Sequence, residues 1–125
     1  MARAKVVTVL SQKGGAGKST LTMQLAGGLA RGGLRLVVID LDPQETALRW
    51  SHAAPEATPF PAWVVRLDGP AEGLQAFLRR LGREAGMVLL DCPPSIEHPM
   101  TLAALAEADV ALVPVVRSEE RRVGK

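Results

Sequence analysis

The chain has 125 residues, 47% hydrophobic and 22% charged, which suits one soluble globular domain with a core of its own. Aromatic residues are only 3%, so that core must be aliphatic, and no apolar run approaches the roughly 20 residues that span a bilayer. The formal net charge of +2 and the pI near 9.1 rest on the last nine residues, so they carry no argument for a nucleic-acid partner.

Those nine, Arg117-Ser118-Glu119-Glu120-Arg121-Arg122-Val123-Gly124-Lys125, do not continue the pattern before them. They can be read as the translation of AGA-TCG-GAA-GAG-CGT-CGT-GTA-GGG-AAA, which resembles a common sequencing adapter. The expectation is a non-native tail after residues 1–116, which would be the N-terminal part of a single domain. Cys92 stands alone, which excludes an internal disulfide framework and leaves no cysteine set for zinc or iron–sulfur ligation. The N-terminal apolar run is too short for a signal peptide, and a reducing cytoplasm is the expected compartment.

Lys5 to Leu10 is nearly continuous in apolar residues, as a strand covered on both faces would be. Leu21, Leu25 and Leu29 at i, i+4 and i+8 predict a helix from about Gly17 to Ala30. Gly27 and Gly28 inside it cost about 1 kcal/mol each relative to Ala and leave room for close packing on the sheet. Gly32-Gly33 ends it. Between strand and helix lies Ser11-Gln12-Lys13-Gly14-Gly15-Ala16-Gly17-Lys18-Ser19-Thr20. A strand, a Gly-rich turn and a helix opening on Lys-Ser is the context of a phosphate-binding loop. Gly14, Gly15 and Gly17 let backbone N–H groups approach phosphate oxygens, and the helix N-terminus adds partial positive charge. Gly14 to Thr20, with Ala16 among them, are the candidate nucleotide contacts; Lys18 would reach the terminal phosphates and the Ser19 hydroxyl would ligate Mg²⁺.

Leu34 to Ile39 reads as a second strand, delivering Asp40-Leu41-Asp42-Pro43-Gln44 to its carboxyl end, where ligands of open parallel sheets bind. A carboxylate there can orient a nucleophile, or an Asp-Pro turn can simply cap the next helix, Gln44 to about His52. Pro55, Pro59 and Pro61 mark a loop, and Trp63 to Leu67 a third strand. Pro70 suits the first position of the next helix, with Leu74, Phe77, Leu78 and Leu81 inward and Arg79, Arg80 and Arg83 outward. That arginine group reads as a solvated face or a DNA contact. Met87 to Leu90 is a fourth strand ending in Asp91, the pattern of a carboxylate that holds Mg²⁺ through water. Cys92 reads as a small buried residue. Ser95 to about Ala108 is helical, with Leu102 and Leu105 inward, and Ala111 to Val116 is a fifth strand. His52 and His98 are isolated and incidental to metal or catalysis.

The run from Lys13 to Ser19 resembles the deviant Walker A motif of the ParA/MinD family of ATPases, Lys-Gly-Gly-x-Gly-Lys-Ser/Thr. Asp40 to Gln44 resembles its Asp-x-Asp-Pro-Gln motif, Asp91 to Pro94 its switch segment, and Val113-Pro114-Val115 its strand towards the base-binding region. The resemblance covers about residues 4–116. It implies an α/β P-loop fold, a mainly parallel sheet in order 3-2-4-1-5 with helices on both faces, incomplete at the C-terminus. It implies ATP and Mg²⁺ between two subunits of a homodimer. Lys13 would act in trans and Lys18 in cis; Ser19 and Asp91 would hold the metal; Asp42 would set up the attacking water; Asp40 would support the Mg²⁺ and switch region.

The start at the P-loop looks like the small partition ATPases. By that likeness the protein is cytoplasmic and nucleoid-associated, its ATP dimer binds DNA nonspecifically, and a centromere-binding partner stimulates hydrolysis. No membrane is expected. A MinD-like, membrane-cycling protein is the alternative, and Asp-Pro-Gln argues mildly against it. A third possibility is an inactive fragment, because cutting the sheet after strand five leaves an apolar edge unpaired.

Overall fold

In the computed structural model, residues 4–11, 17–81 and 84–115 are described. Val116 and the tail 117–125 lie outside them, as do Lys13, Gly14, Gly15, Ala16 and Arg83. The elements alternate strictly: β1 (Lys5–Val9), α1 (Lys18–Arg31), β2 (Leu36–Asp40), α2 (Thr46–His52), β3 (Trp63–Arg66), α3 (Gly73–Leu81), β4 (Met87–Asp91), α4 (Pro99–Glu107) and β5 (Val110–Leu112). The five strands form one sheet in the order β3-β2-β4-β1-β5, the order expected, and each pairing is parallel.

The continuous apolar runs of β1, β2 and β4 follow from the two-residue side-chain period, with helices on both faces. Val6, Val37, Ile39, Val88 and Leu90 pack with Leu74 and Leu78 of α3 and Met100 and Ala104 of α4. Val7, Val9, Leu36, Val38 and Leu89 pack with Met23 and Ala26 of α1 and Ala47 of α2. Every second residue thus serves the opposite layer.

Two glycines set the ends of α1. Gly17, at φ +83°, occupies the cap position, where a side chain would be strained. Gly33, at φ +99°, turns the chain into β2 and donates its N–H to the Ala30 carbonyl (3.0 Å). The interior glycines do not serve packing on the sheet. An added Cβ at Gly27 would meet the Arg31 and Phe60 side chains, and one at Gly28 would meet open space.

Three other expectations are corrected. Pro70 precedes α3 by a turn rather than opening it: its carbonyl accepts from Gly73 N (3.0 Å), the first residue of the helix. The helix expected from Ser95 begins at Pro99, because Ser95 forms a turn of its own, accepting Glu97 N on Oγ (3.2 Å) and His98 N on its carbonyl (3.4 Å). His98 is then the helix cap, its Nδ1 accepting from Met100 N (3.0 Å), with Pro99 pre-set in the first turn. That start fixes the phase of α4. Met100 and Ala104, four apart, face the core, and Leu102 and Leu105 turn outward, at 54% and 36% exposure. The fifth strand is three residues long, Val110–Leu112, and leaves Val113 and Val115 exposed beside it.

Leu89 is fully buried in a central strand, so Leu89→Ala should lower the unfolding free energy by about 2–5 kcal/mol. Leu102→Ala, on the outward face of α4, should change it by no more than about 0.5 kcal/mol. Urea denaturation of the two variants checks the phase of the helix directly.

Candidate nucleotide-binding site

The site lies along the carboxyl edge of the sheet. Register places Val9, Asp91, Asp40 and Arg66 in one row, as the last residues of β1, β4, β2 and β3. From this row the chain runs into the Gly-rich loop after β1, the Asp-Pro turn after β2 and the Cys-Pro-Pro segment after β4. Gly17, Lys18, Ser19, Thr20, Asp42, Gln44, Thr46 and Pro94 line a cavity of about 260 Å³. A larger hollow of about 650 Å³, between α1, α2 and the 53–60 loop, contains none of the carboxylates.

Lys18 is the centre of the site. It is the first residue of α1 and is 5% exposed. Its ammonium donates to Asp91 Oδ1 at 2.6 Å and to Asp42 Oδ2 at 3.4 Å. A buried cation must be paired and hydrogen-bonded, and here two buried carboxylates from two different strand ends do so. Ser19 Oγ donates to Asp91 Oδ2 at 2.8 Å, so one carboxylate holds both residues of the Lys-Ser pair. Thr22 Oγ1 lies 2.9 Å from the Lys18 carbonyl, to which it donates, and 3.4 Å from Asp91 Oδ1.

Asp42 is held on three sides: Oδ1 accepts from Gln44 N (3.0 Å), Oδ2 faces Lys18, and its carbonyl accepts from Glu45 N (2.9 Å) and from Arg66 Nη1. Asp40, expected to support the Mg²⁺ and switch region, has both carboxylate oxygens on backbone donors. Its Oδ1 accepts from Asp42 N (3.0 Å) and its Oδ2 from Leu48 N (3.0 Å). It therefore fastens the turn to the first turn of α2, the capping role weighed for this Asp-Pro segment. Burial holds the Asp40 carboxyl above the usual carboxylate range, against the lowering by those two N–H donors. Burial also pushes the Cys92 thiol up to about 12, which fits a packed, unreactive cysteine.

The donor set fits Mg²⁺. A hydroxyl and a carboxylate, Ser19 and Asp91, are hard oxygen ligands on one spot. Among the described residues no three His, Cys, Asp or Glu converge into a cage, and Mg²⁺ shared with substrate phosphates needs no such cage. One ammonium faces two carboxylates here, so the cluster has room for added positive charge. Thr22 and Arg66 belong to no motif spacing. Their signals were slight: Thr22 follows Lys18 by one helical turn, and Arg66 is the charged residue that ends an apolar strand on the ligand edge.

A parallel sheet whose first strand leads through a Gly-rich stretch to Lys-Ser, opposite a strand-end aspartate, defines a nucleotide-binding protein of the P-loop class. Residues 7–114 match the CobQ/CobB/MinD/ParA nucleotide binding domain, and the chain belongs to that family. It is 38% identical to the chromosome-partitioning ATPase Soj of Thermus thermophilus, over 92% of this chain and 57% of that protein. Its fold resembles cobyrinic acid a,c-diamide synthase of Mycobacterium smegmatis with bound ATP analogue and magnesium (TM-score 0.77, 22% identity, 97% of this chain and 66% of that one). It also resembles pNOB8 ParA bound to nonspecific DNA (TM-score 0.71, 21% identity, 94% of this chain and 55% of that one). The chain spans about half the length of the curated relatives it matches.

Asp40 binds its proton more readily folded than unfolded, so its contribution to stability is full below pH 3.8 and is lost as pH rises through the raised folded value. The unfolding free energy of the unsubstituted protein, minus that of Asp40→Asn, should therefore grow as pH falls across this window. Denaturation at a series of pH values checks the sign.

Proposed function

We propose that this chain is the nucleotide-binding part of a ParA-type ATPase, a dimer switch driven by Mg²⁺-dependent ATP hydrolysis. The carrying observation is the convergence of Lys18, Ser19 and Asp91, with Asp42 3.4 Å from the same ammonium. In this reading Lys18 exchanges its carboxylate partners for the terminal phosphates. Ser19 and Asp91 hold Mg²⁺, which supplies positive charge to the phosphate oxygens. Asp42, released from the ammonium but still fixed by Gln44 N, orients the attacking water.

Lys13 completes the site of the partner subunit in this reading, and Gly14, Gly15 and Ala16 wrap the phosphates. The partition role draws on Soj, a chromosome-partitioning ATPase by name, and on the fold shared with a ParA bound to nonspecific DNA. The likeness to Soj favours partition over the MinD-like alternative. DNA binding, a centromere-binding partner and a cytoplasmic, nucleoid-associated location follow from the same reading. Among the described residues no helix is long and apolar enough to cross a membrane.

A fluorescent ADP analogue should bind the protein in a Mg²⁺-dependent way, and Lys18→Ala should weaken binding about 100-fold. Lys18→Arg retains a cation against Asp91 and controls for loss of fold. In the complete reading frame of the gene, Asp42→Asn should leave binding within a few fold and cut hydrolysis by about 10²–10⁴. Equal nucleotide binding by a folded Lys18→Ala variant would sink the proposal.

A further inference from the structure

The hydrogen bonds around Asp42 leave one question open. When Lys18 turns to phosphate, the Asp42 carboxylate loses its ion-pair partner and keeps the Gln44 N–H, and a carboxylate that orients water must stay in place. The structure offers a holder from outside the motifs. Arg66, the last residue of β3, is in register with Asp40 and 19% exposed. Its Nη1 donates to the carbonyl of Asp42 and lies 3.4 Å from the carbonyl of Asp40. Its Nε donates to Asp68 Oδ1 at 3.0 Å and lies 3.6 Å from Glu45 Oε2. One guanidinium thus spans the Asp-Leu-Asp turn, the residue that opens α2 and the loop after β3.

Glu45 makes the arrangement more than a surface ion pair. It is the only non-glycine described residue at positive φ, at φ +58° and ψ +33°. A non-glycine residue persists there only where its surroundings hold it. Here its N–H donates to the Asp42 carbonyl (2.9 Å), its carbonyl accepts from Arg49 N (2.9 Å), and its carboxylate faces Arg66. Glu45 N and Arg66 Nη1 therefore converge on the same Asp42 carbonyl.

We propose that Arg66 is a positioning residue: it clamps the backbone of Asp42 and Glu45 to the edge strand, so that the Asp42 carboxylate keeps its direction after Lys18 leaves it. The clamp acts through Asp42 and touches no substrate. Its catalytic consequence rests on the functional reading given above; the clamp itself does not.

Two measurements separate these levels. Amide hydrogen exchange in the nucleotide-free 125-residue chain reads the clamp without turnover. Arg66→Ala should speed exchange at Gln44, Glu45 and Leu48 at least tenfold and leave β1 and β4 unchanged. Unchanged exchange in the turn, or loss of protection spread through β1 and β4, would overturn the clamp. In the complete reading frame, Arg66→Ala should lower kcat about 10²-fold and shift the nucleotide dissociation constant less than threefold. Arg66→Lys should recover part of kcat by restoring one cationic donor. A fall in binding and kcat together, or no fall in kcat beside faster exchange, would overturn the catalytic role. Failure of the unsubstituted protein to bind nucleotide at all would instead defeat the functional reading, whatever the exchange shows.

Discussion

A lysine ammonium withdrawn from water between two carboxylates sets the conditions for everything else at this site. Lys18 could not be buried alone, and neither could Asp91 or Asp42. Their mutual pairing joins the start of α1 to the ends of β4 and β2, elements that are distant in sequence. Such a pair adds little net stability, because desolvation of the ions offsets most of their attraction. What it provides is an arrangement that can be exchanged: the same ammonium can satisfy phosphate oxygens, and the carboxylates a cation.

The sheet makes that exchange local. β1, β4 and β2 lie side by side, parallel and in register, so their carboxyl ends present three loops on a single edge. The strands themselves are packed on both faces by alternating residues and have little freedom. The turn after β2 is held at two points, with Asp40 fastening it to α2 and Arg66 fastening it to β3. The two buried aspartates differ in their partners. Asp40 is fully buried and spends both oxygens on backbone N–H groups, whereas Asp42 keeps one oxygen turned to Lys18.

Much of this was legible in the residues. The apolar runs of β1, β2 and β4 announced strands covered on both faces, and the leucine spacing announced a helix opening near Lys18-Ser19. Asp91 was marked by its place at the end of an apolar run. The misplacements share one cause. Leu102 and Leu105 look like a core stripe, but the rotation of α4 depends on where its cap forms, and His98 rather than Ser95 provides the cap. Pro70 likewise could open a helix or precede one, and only the turn closed by its carbonyl decides.

The sequence by itself determined the alternation of strands and helices, the Gly-rich run before Lys18-Ser19 that marks the family, and the short list of carboxylates on that edge. These are local properties: periodicity, backbone permissiveness at glycine, and donor type at fixed spacing. The tertiary structure decided which partners each carboxylate takes. Asp40 and Asp42 are two residues apart, both at a strand end, and differ only in what packs around them. The same holds for Arg66, an ordinary charged strand end until the register of β3 on β2 brings it beside Asp40. Contacts of that kind depend on strand order and on burial, and neither is written in the spacing of a motif.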